Sequence, residues 1–248
     1  MVEPSSFGQM LMRLLDRRHV SAAGLSAEHG ISQSELRLVL EGAAPDREIL
    51  DLLAAALGWH PEDIYVTASL PVPDEMAPLD PAAGKLMYKL VDEAMRLSLT
   101  ARDELRQFAQ SLPQQPRPES ISATPEWKQY QRGFGAIMVK FLENRNLDWR
   151  PAVYVLHRMT PLYLSAATIG SIGHGRKQLT PDELAEFSVV LGIAAGDLAA
   201  LAGIELPAES ERPDPSAAEI PGLIWAARRL TAAQVLQVIE MAKSLQTE

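Results

Sequence analysis
The chain has no cysteine among its 248 residues, so disulfides and thiolate metal sites are excluded. No run of about 18 apolar residues occurs, so no segment reads as a membrane-spanning helix. The N-terminal stretch lacks a basic-then-apolar signal pattern. Together these absences predict a soluble, cytoplasmic protein that does not engage a membrane. Positive charge is also short: 23 Lys+Arg face 32 Asp+Glu, leaving a net charge of -9. That balance disfavours a broad electrostatic grip on nucleic acid or acidic lipid. The five histidines are scattered with no i,i+4 pair, which gives no ground for a metal site. The stretch "GSIGHGRK" lacks both the Gly-Lys-Ser/Thr ending and the preceding strand of a phosphate loop. With no nucleophile–base arrangement visible, neither an enzyme nor a cofactor is expected.

What is present is a repeat, the first thing to seek in a chain of this length. "FGQMLMRLLDRRHVS" from Phe7 matches "FGAIMVKFLENRNLD" from Phe134. Phe7 pairs with Phe134, Leu11 with Met138, Leu14 with Phe141, Leu15 with Leu142, Arg18 with Arg145 and Val20 with Leu147. The apolar positions fall at i, i+4, i+7 and i+8, the spacing of an amphipathic helix. Ser21 and Asp148 then stand where a second helix needs its N-cap. "SQSELRLVLEG" pairs with "SAATIGSIGHG", and Ser32 with Glu35 predicts a capping box. "DREILDLLAAALG" and "TPDELAEFSVVLG" both end in a glycine, Gly58 and Gly192, suited to a left-handed C-cap. Asp63 and Asp197 begin a short fifth helix in each copy. The offset between copies grows from 127 to 134 residues, so the second copy holds seven more, placed mostly around "RMTPLYL".

Each copy has a tail. "LVDEAMRLSLTARDELRQFAQSL" and "LIWAARRLTAAQVLQVIEMAKSL" both read as helix, short break, helix, with Thr100 and Thr231 expected as caps. Proline-rich stretches at 71–81, 113–125 and 207–221 suit exposed linkers. No strand pattern competes, so the fold class is all-α. The segments are a unit at 1–67, a helical hairpin at 82–112, a linker at 113–127, a divergent second unit at 128–205 and a C-terminal hairpin at 219–248.

The first copy, through "LSAEHGISQSELRLVLEG" and "ILDLLAAALGWHPEDI", resembles the lambda-repressor/Cro-like (XRE) helix-turn-helix family. The likeness covers residues 7–67. A fainter likeness covers 134–204, where the usual Ala-x-x-x-Gly turn is missing and the third helix carries three glycines. The resemblance implies two tandem lambda-repressor-like five-helix units, and a protein that binds double-stranded DNA as a dimer to regulate transcription.

In that geometry the third helix enters the major groove and meets base edges with its N-terminal residues. The first copy offers Gln33, Ser34 and Arg37 there, where Gln suits adenine and Arg suits guanine. Ser21 could meet phosphate at the start of the second helix. The second copy offers Ser165, Thr168, Ser171 and His174, then Arg176 and Lys177, with Arg150 and Arg158 on the preceding helix. Lys140 and Arg145 add to its positive charge. Residues 128–205 hold 8 Lys+Arg against 7 Asp+Glu, whereas residues 1–112 hold 10 against 17. The second copy is therefore the better partner for phosphate, and the acidic first half leaves open a role in meeting another protein. All these residues can equally be ordinary polar surface. Gly170 and Gly173 ask for close packing or for close approach of a partner, since interior glycine costs about 0.5–1 kcal/mol relative to alanine. The apolar faces at 86–97 and 223–245 predict a homodimer built from the hairpins. The rival reading is a protein-interaction or assembly module whose helix-turn-helix units no longer bind DNA.

Overall fold
A computed structural model describes residues 5–116, 125–207, 217 and 219–246. Among them are fifteen α-helices, one 3-10 turn and no strand. None of these helices is long and apolar enough to cross a membrane.

The first half opens with α1 (Phe7–Arg17), α2 (Ala22–His29), α3 (Gln33–Leu40), α4 (Arg47–Leu57) and α5 (Pro61–Thr67). Short α6 (Pro81–Gly84) leads into the hairpin α7 (Met87–Ala94) and α8 (Leu99–Ser111). After a 3-10 turn at Glu126–Lys128, the second half repeats the order. It comprises α9 (Phe134–Asn144), α10 (Trp149–Met159), α11 (Ala166–Gly173), α12 (Pro181–Leu191), α13 (Ala195–Ala202), α14 (Ile220–Ala227) and α15 (Ala232–Ser244).

Local chemistry sets the boundaries. Ser21, Ser32, Ser165 and Thr231 each place a hydroxyl on a backbone N–H of the first helical turn, and Asp148 does so with its carboxylate. Such caps satisfy donors that a helix start leaves unpaired. Ser32 receives only the Glu35 N–H, so half of the expected capping box forms. The hairpin expectation needs one correction. The cap of α8 is Ser98, which accepts from the Ala101 N–H, and Thr100 lies inside the helix. Gly58 and Gly192 adopt left-handed φ values of 63° and 66°, ending α4 and α12 as their type predicts. Eleven residues separate caps Ser21 and Ser32, whereas seventeen separate Asp148 and Ser165. Most of the extra length therefore lies in the longer α10 and the connector after it.

The halves do not hang as beads. They pack reciprocally: α1 lies on α13 while α9 lies on α5, and α7 lies on α15 while α8 lies on α14. A contact of x with y answered by y with x is the mark of two-fold pairing. The fit between halves buries the centres of the hairpin faces. Leu90, Val91, Leu105, Leu223, Ile224, Val235 and Val238 have no exposed surface. The homodimer expectation rests on these same faces, and within one chain the sister hairpin already covers them. One hydrophobic cluster runs through both halves.

The first proline-rich stretch is no free linker. Leu79 is buried, the Met76 carbonyl accepts from Arg228 at 2.7 Å, and Asp80 Oδ2 accepts from the Ala232 N–H at 2.7 Å. Much of the other two proline-rich stretches lies outside the described residues.

Because core and hairpins are shared, the chain should unfold as one unit. Leu223→Ala should cost about 2–5 kcal/mol and shift far-UV dichroism and tryptophan fluorescence midpoints together in a urea titration. Light scattering at micromolar concentration should give the mass of one chain. Separate transitions would contradict the shared core.

Candidate nucleic-acid interface
In the first half, α3 is held by its C-terminal end. Gly8 of α1 faces the carbonyl oxygens of Val39 and Leu40 so closely that a Cβ there would lie 2.5 Å from each. Leu36 and Val39 are buried. The opposite face is open: Gln33, Ser34, Glu35, Arg37 and Leu38 are exposed. Arg37 Nε stands 3.9 Å from Glu41 Oε1 with both side chains largely in water, a pairing worth little. Gln33 and Arg37 share this outward face, one turn apart. Ser34 Oγ lies 2.9 Å from Ser32 Oγ, and Ser21 Oγ accepts from the Gly24 N–H at 3.0 Å while remaining exposed.

In the second half, Gly135 meets the Ile172 carbonyl in the same way as Gly8 meets α3. The outward face of α11 is shorter in reach. Ser165 Oγ caps the Thr168 N–H at 3.1 Å and lies 2.9 Å from Thr168 Oγ1. Ser171 donates to the Ala167 carbonyl at 2.9 Å. A His174 ring nitrogen lies 2.9 Å from the Trp127 carbonyl oxygen, and the ring sits edge-on to Tyr130. The glycines have their reason in packing. A Cβ on Gly170 would strike the Trp149 ring, and one on Gly173 would strike the Tyr130 ring. Those rings are joined by a hydrogen bond from Trp149 Nε1 to the Tyr130 hydroxyl at 2.8 Å.

The cations divide into two groups. Arg150 and Arg176 are exposed and make no side-chain hydrogen bond or ion pair among the described residues. Lys177 is held by both oxygens of Glu183 at 2.7 and 2.8 Å. Arg158 Nε bonds Asp92 at 2.6 Å, where α10 packs on α7. Arg145, expected among the charges available to a phosphate, is instead the best-buried arginine. Its side chain and that of Asp63 are each 1% exposed.

Arg145 belongs to a clasp that the repeat builds twice. Arg18 and Arg145 are the C-cap residues of α1 and α9. Each is followed by a left-handed residue, His19 and Asn146. Arg18 bonds both oxygens of Asp197, at 3.2 and 2.5 Å, and the Leu57 carbonyl at 2.7 Å. Arg145 bonds both oxygens of Asp63, at 3.1 and 2.9 Å, and the Leu191 carbonyl at 3.0 and 2.6 Å. Each guanidinium thus joins a carboxylate of the other half to the last turn of the fourth helix in its own half. Arg13 adds bonds from α1 to the Ala200 and Leu201 carbonyls, both at 2.7 Å, where the α13 C-terminus favours a cation. The arginines of α1 therefore serve the seam between halves, with little left over for a phosphate.

Beside the Arg145 clasp, Asn144 donates to Asp63 at 2.9 Å, Glu62 pairs with Arg228, and His60 stacks on Trp225 at 3.5 Å between centroids. Burial lowers the His60 pKa from 6.5 to about 4, the neighbouring Arg145 and Arg228 adding to that and Asp63 opposing it. The residue nonetheless keeps solvent-exposed area, which moderates the shift.

Among the described residues, no His/Asp/Glu group is arranged to hold a metal. No family model matches the chain, and no curated protein or solved structure matches it.

Two outcomes test the seam. Arg145→Ala strands the buried Asp63 carboxylate and should cost about 3–5 kcal/mol, whereas pairing Arg145→Met with Asp63→Leu should restore most of it. Arg18→Ala, at the more exposed clasp, should cost less; denaturant titration reads all three. For His60, the unfolded ring binds a proton at a higher pH than the folded one. Its contribution is therefore complete above pH 6.5 and lost as pH falls from 6.5 toward 4. The stability difference between wild type and His60→Gln should shift against the wild type across that window, and a flat difference would contradict the stacked, neutral ring.

Proposed function
We propose that this chain is a sequence-specific DNA-binding transcriptional regulator in which one polypeptide supplies a two-fold pair of lambda-repressor-like helix-turn-helix units. The carrying observation is the reciprocal clasp, Arg18 with Asp197 and Arg145 with Asp63. It relates the halves as the protomers of a symmetric dimer are related. Regulators of the resembled family read pseudo-palindromic sites with such pairs. Here the pairing is intramolecular, so one chain per site is sufficient.

The two units do different work. The open face of α3, with Gln33, Ser34 and Arg37, carries side chains able to discriminate bases. The α11 face has short side chains, flanked by the unpaired Arg150 and Arg176, and suits phosphate contact and register. A second reading, a protein-interaction module, is favoured by the acidic balance of residues 1–112 and by the engagement of Arg158 and Lys177 with carboxylates.

Selection from a random duplex library followed by mobility shifts decides between them. Arg37→Ala should lower discrimination at one position of one half-site by about 1–3 kcal/mol. Arg150→Ala with Arg176→Ala should weaken all sequences alike and flatten the salt dependence by about one unit of slope for each phosphate no longer neutralised. Recovery of no enriched sequence would leave the protein-interaction reading standing.

A further inference from the structure
A groove of about 1140 Å³ runs across the two halves, away from the α3 face. One wall is the segment after α5 with the start of the first hairpin, including Leu70, Val72, Lys85 and Tyr88. The other is the 3-10 turn with α9 and the start of α10, including Trp127, Lys140, Glu143 and Tyr154. Of eight exposed large hydrophobic residues among the described ones, Tyr88, Trp127 and Tyr154 border this groove. Their rings are ordered by partners: Tyr88 meets Tyr154 at 5.5 Å between centroids, and Trp127 meets Trp149 at 4.8 Å. Aromatic faces left in water at a junction of two units mark a binding surface rather than a core.

The charge of the groove runs against that of the chain. Its walls carry Lys85, Lys128, Lys140 and Arg150 against Glu143 and Asp148, in a protein of net charge -9. Lys128 is held by those two carboxylates, at 3.4 and 2.9 Å. Lys85, Lys140 and Arg150 make no side-chain hydrogen bond or ion pair among the described residues. Glu143 Oε1 is buried and faces Lys128, and burial raises the pKa of that carboxyl.

We propose that this groove is a binding site for a planar aromatic small molecule carrying a carboxylate or phosphate. The ring lies against the Tyr154 and Trp127 faces, and the anion meets the unpaired lysines.

The test uses the full chain and two fluorescent probes of like shape, anionic 1-anilinonaphthalene-8-sulfonate and neutral N-phenyl-1-naphthylamine. The wild type should bind the sulfonate at least tenfold more tightly. Lys85→Gln with Lys140→Gln should abolish that preference while leaving the neutral probe's affinity unchanged, and Trp127→Ala should weaken both probes. Circular dichroism confirms that each variant is folded, and Lys85 and Lys140 lie outside the proposed DNA contacts; Arg150, which the groove shares with those contacts, is left unchanged. Displacement of the sulfonate by adenosine monophosphate assigns the phosphate source, and displacement by anthranilate assigns the carboxylate source. Equal affinity for the two probes, an unchanged preference in the double variant, displacement by neither competitor, or displacement only by an eight-residue oligothymidylate would overturn the proposal.

Discussion
The structure depends on one interaction made twice, an arginine of one half gripping an aspartate of the other. Burying charge is costly unless the pair is well aligned and its remaining donors are bonded. Both clasps meet that condition with a two-pronged contact and a helix-terminal carbonyl. Neither half holds a complete clasp, because the first contributes Arg18 and Asp63 and the second Arg145 and Asp197. Each half taken alone would leave its arginine and its aspartate without their partners. The alignment of halves that this demands also brings the hairpins together, so electrostatic register and apolar burial favour the same arrangement.

Two-fold pairing makes the halves equivalent in position while leaving them free to differ in surface. The difference is concentrated around the second and third helices. In the first half α3 turns long polar side chains outward. In the second, α11 is packed so tightly against Trp149 and Tyr130 that glycine is required at 170 and 173. The lengthened α10 lies against α7, and Arg158 and Tyr154 meet Asp92 and Tyr88 there. Its counterpart α2 packs chiefly on α3 and α4 of its own half, so the pseudo-symmetry is broken on one side. The groove between the halves lies beside that contact.

How much of the site was legible depended on the range of the interaction concerned. The outward turn of Arg37 follows from helical period, since Leu36 and Val39 face the core; Gln33, three residues before Leu36, is exposed because it opens the helix. The placement of the second-half cations does not follow. Arg145, Arg158 and Lys177 all read as available positive charge, yet each meets a carboxylate, two of them on the other half. The repeat did contain the signal for the clasp. Arg18 with Arg145 and Asp63 with Asp197 are opposite charges kept in register across both copies, a pattern that solvated surface positions have no physical need to keep.

The amino-acid sequence by itself determined the all-helical class, the duplicated order of elements and most helix boundaries. These rest on contacts within four residues: caps at Ser21, Ser32, Asp148, Ser165 and Thr231, and left-handed glycines at 58 and 192. Even at this range the α8 cap falls at Ser98 rather than Thr100, because both are competent and only the backbone path chooses between them. Tertiary structure alone decided what covers the hairpins, which arginines remain in water, and that the halves form a pair. An apolar face specifies that it must be buried, and a charge that it must be solvated or paired. Neither specifies the partner, because burial is non-directional and ion pairs form between residues up to 179 positions apart.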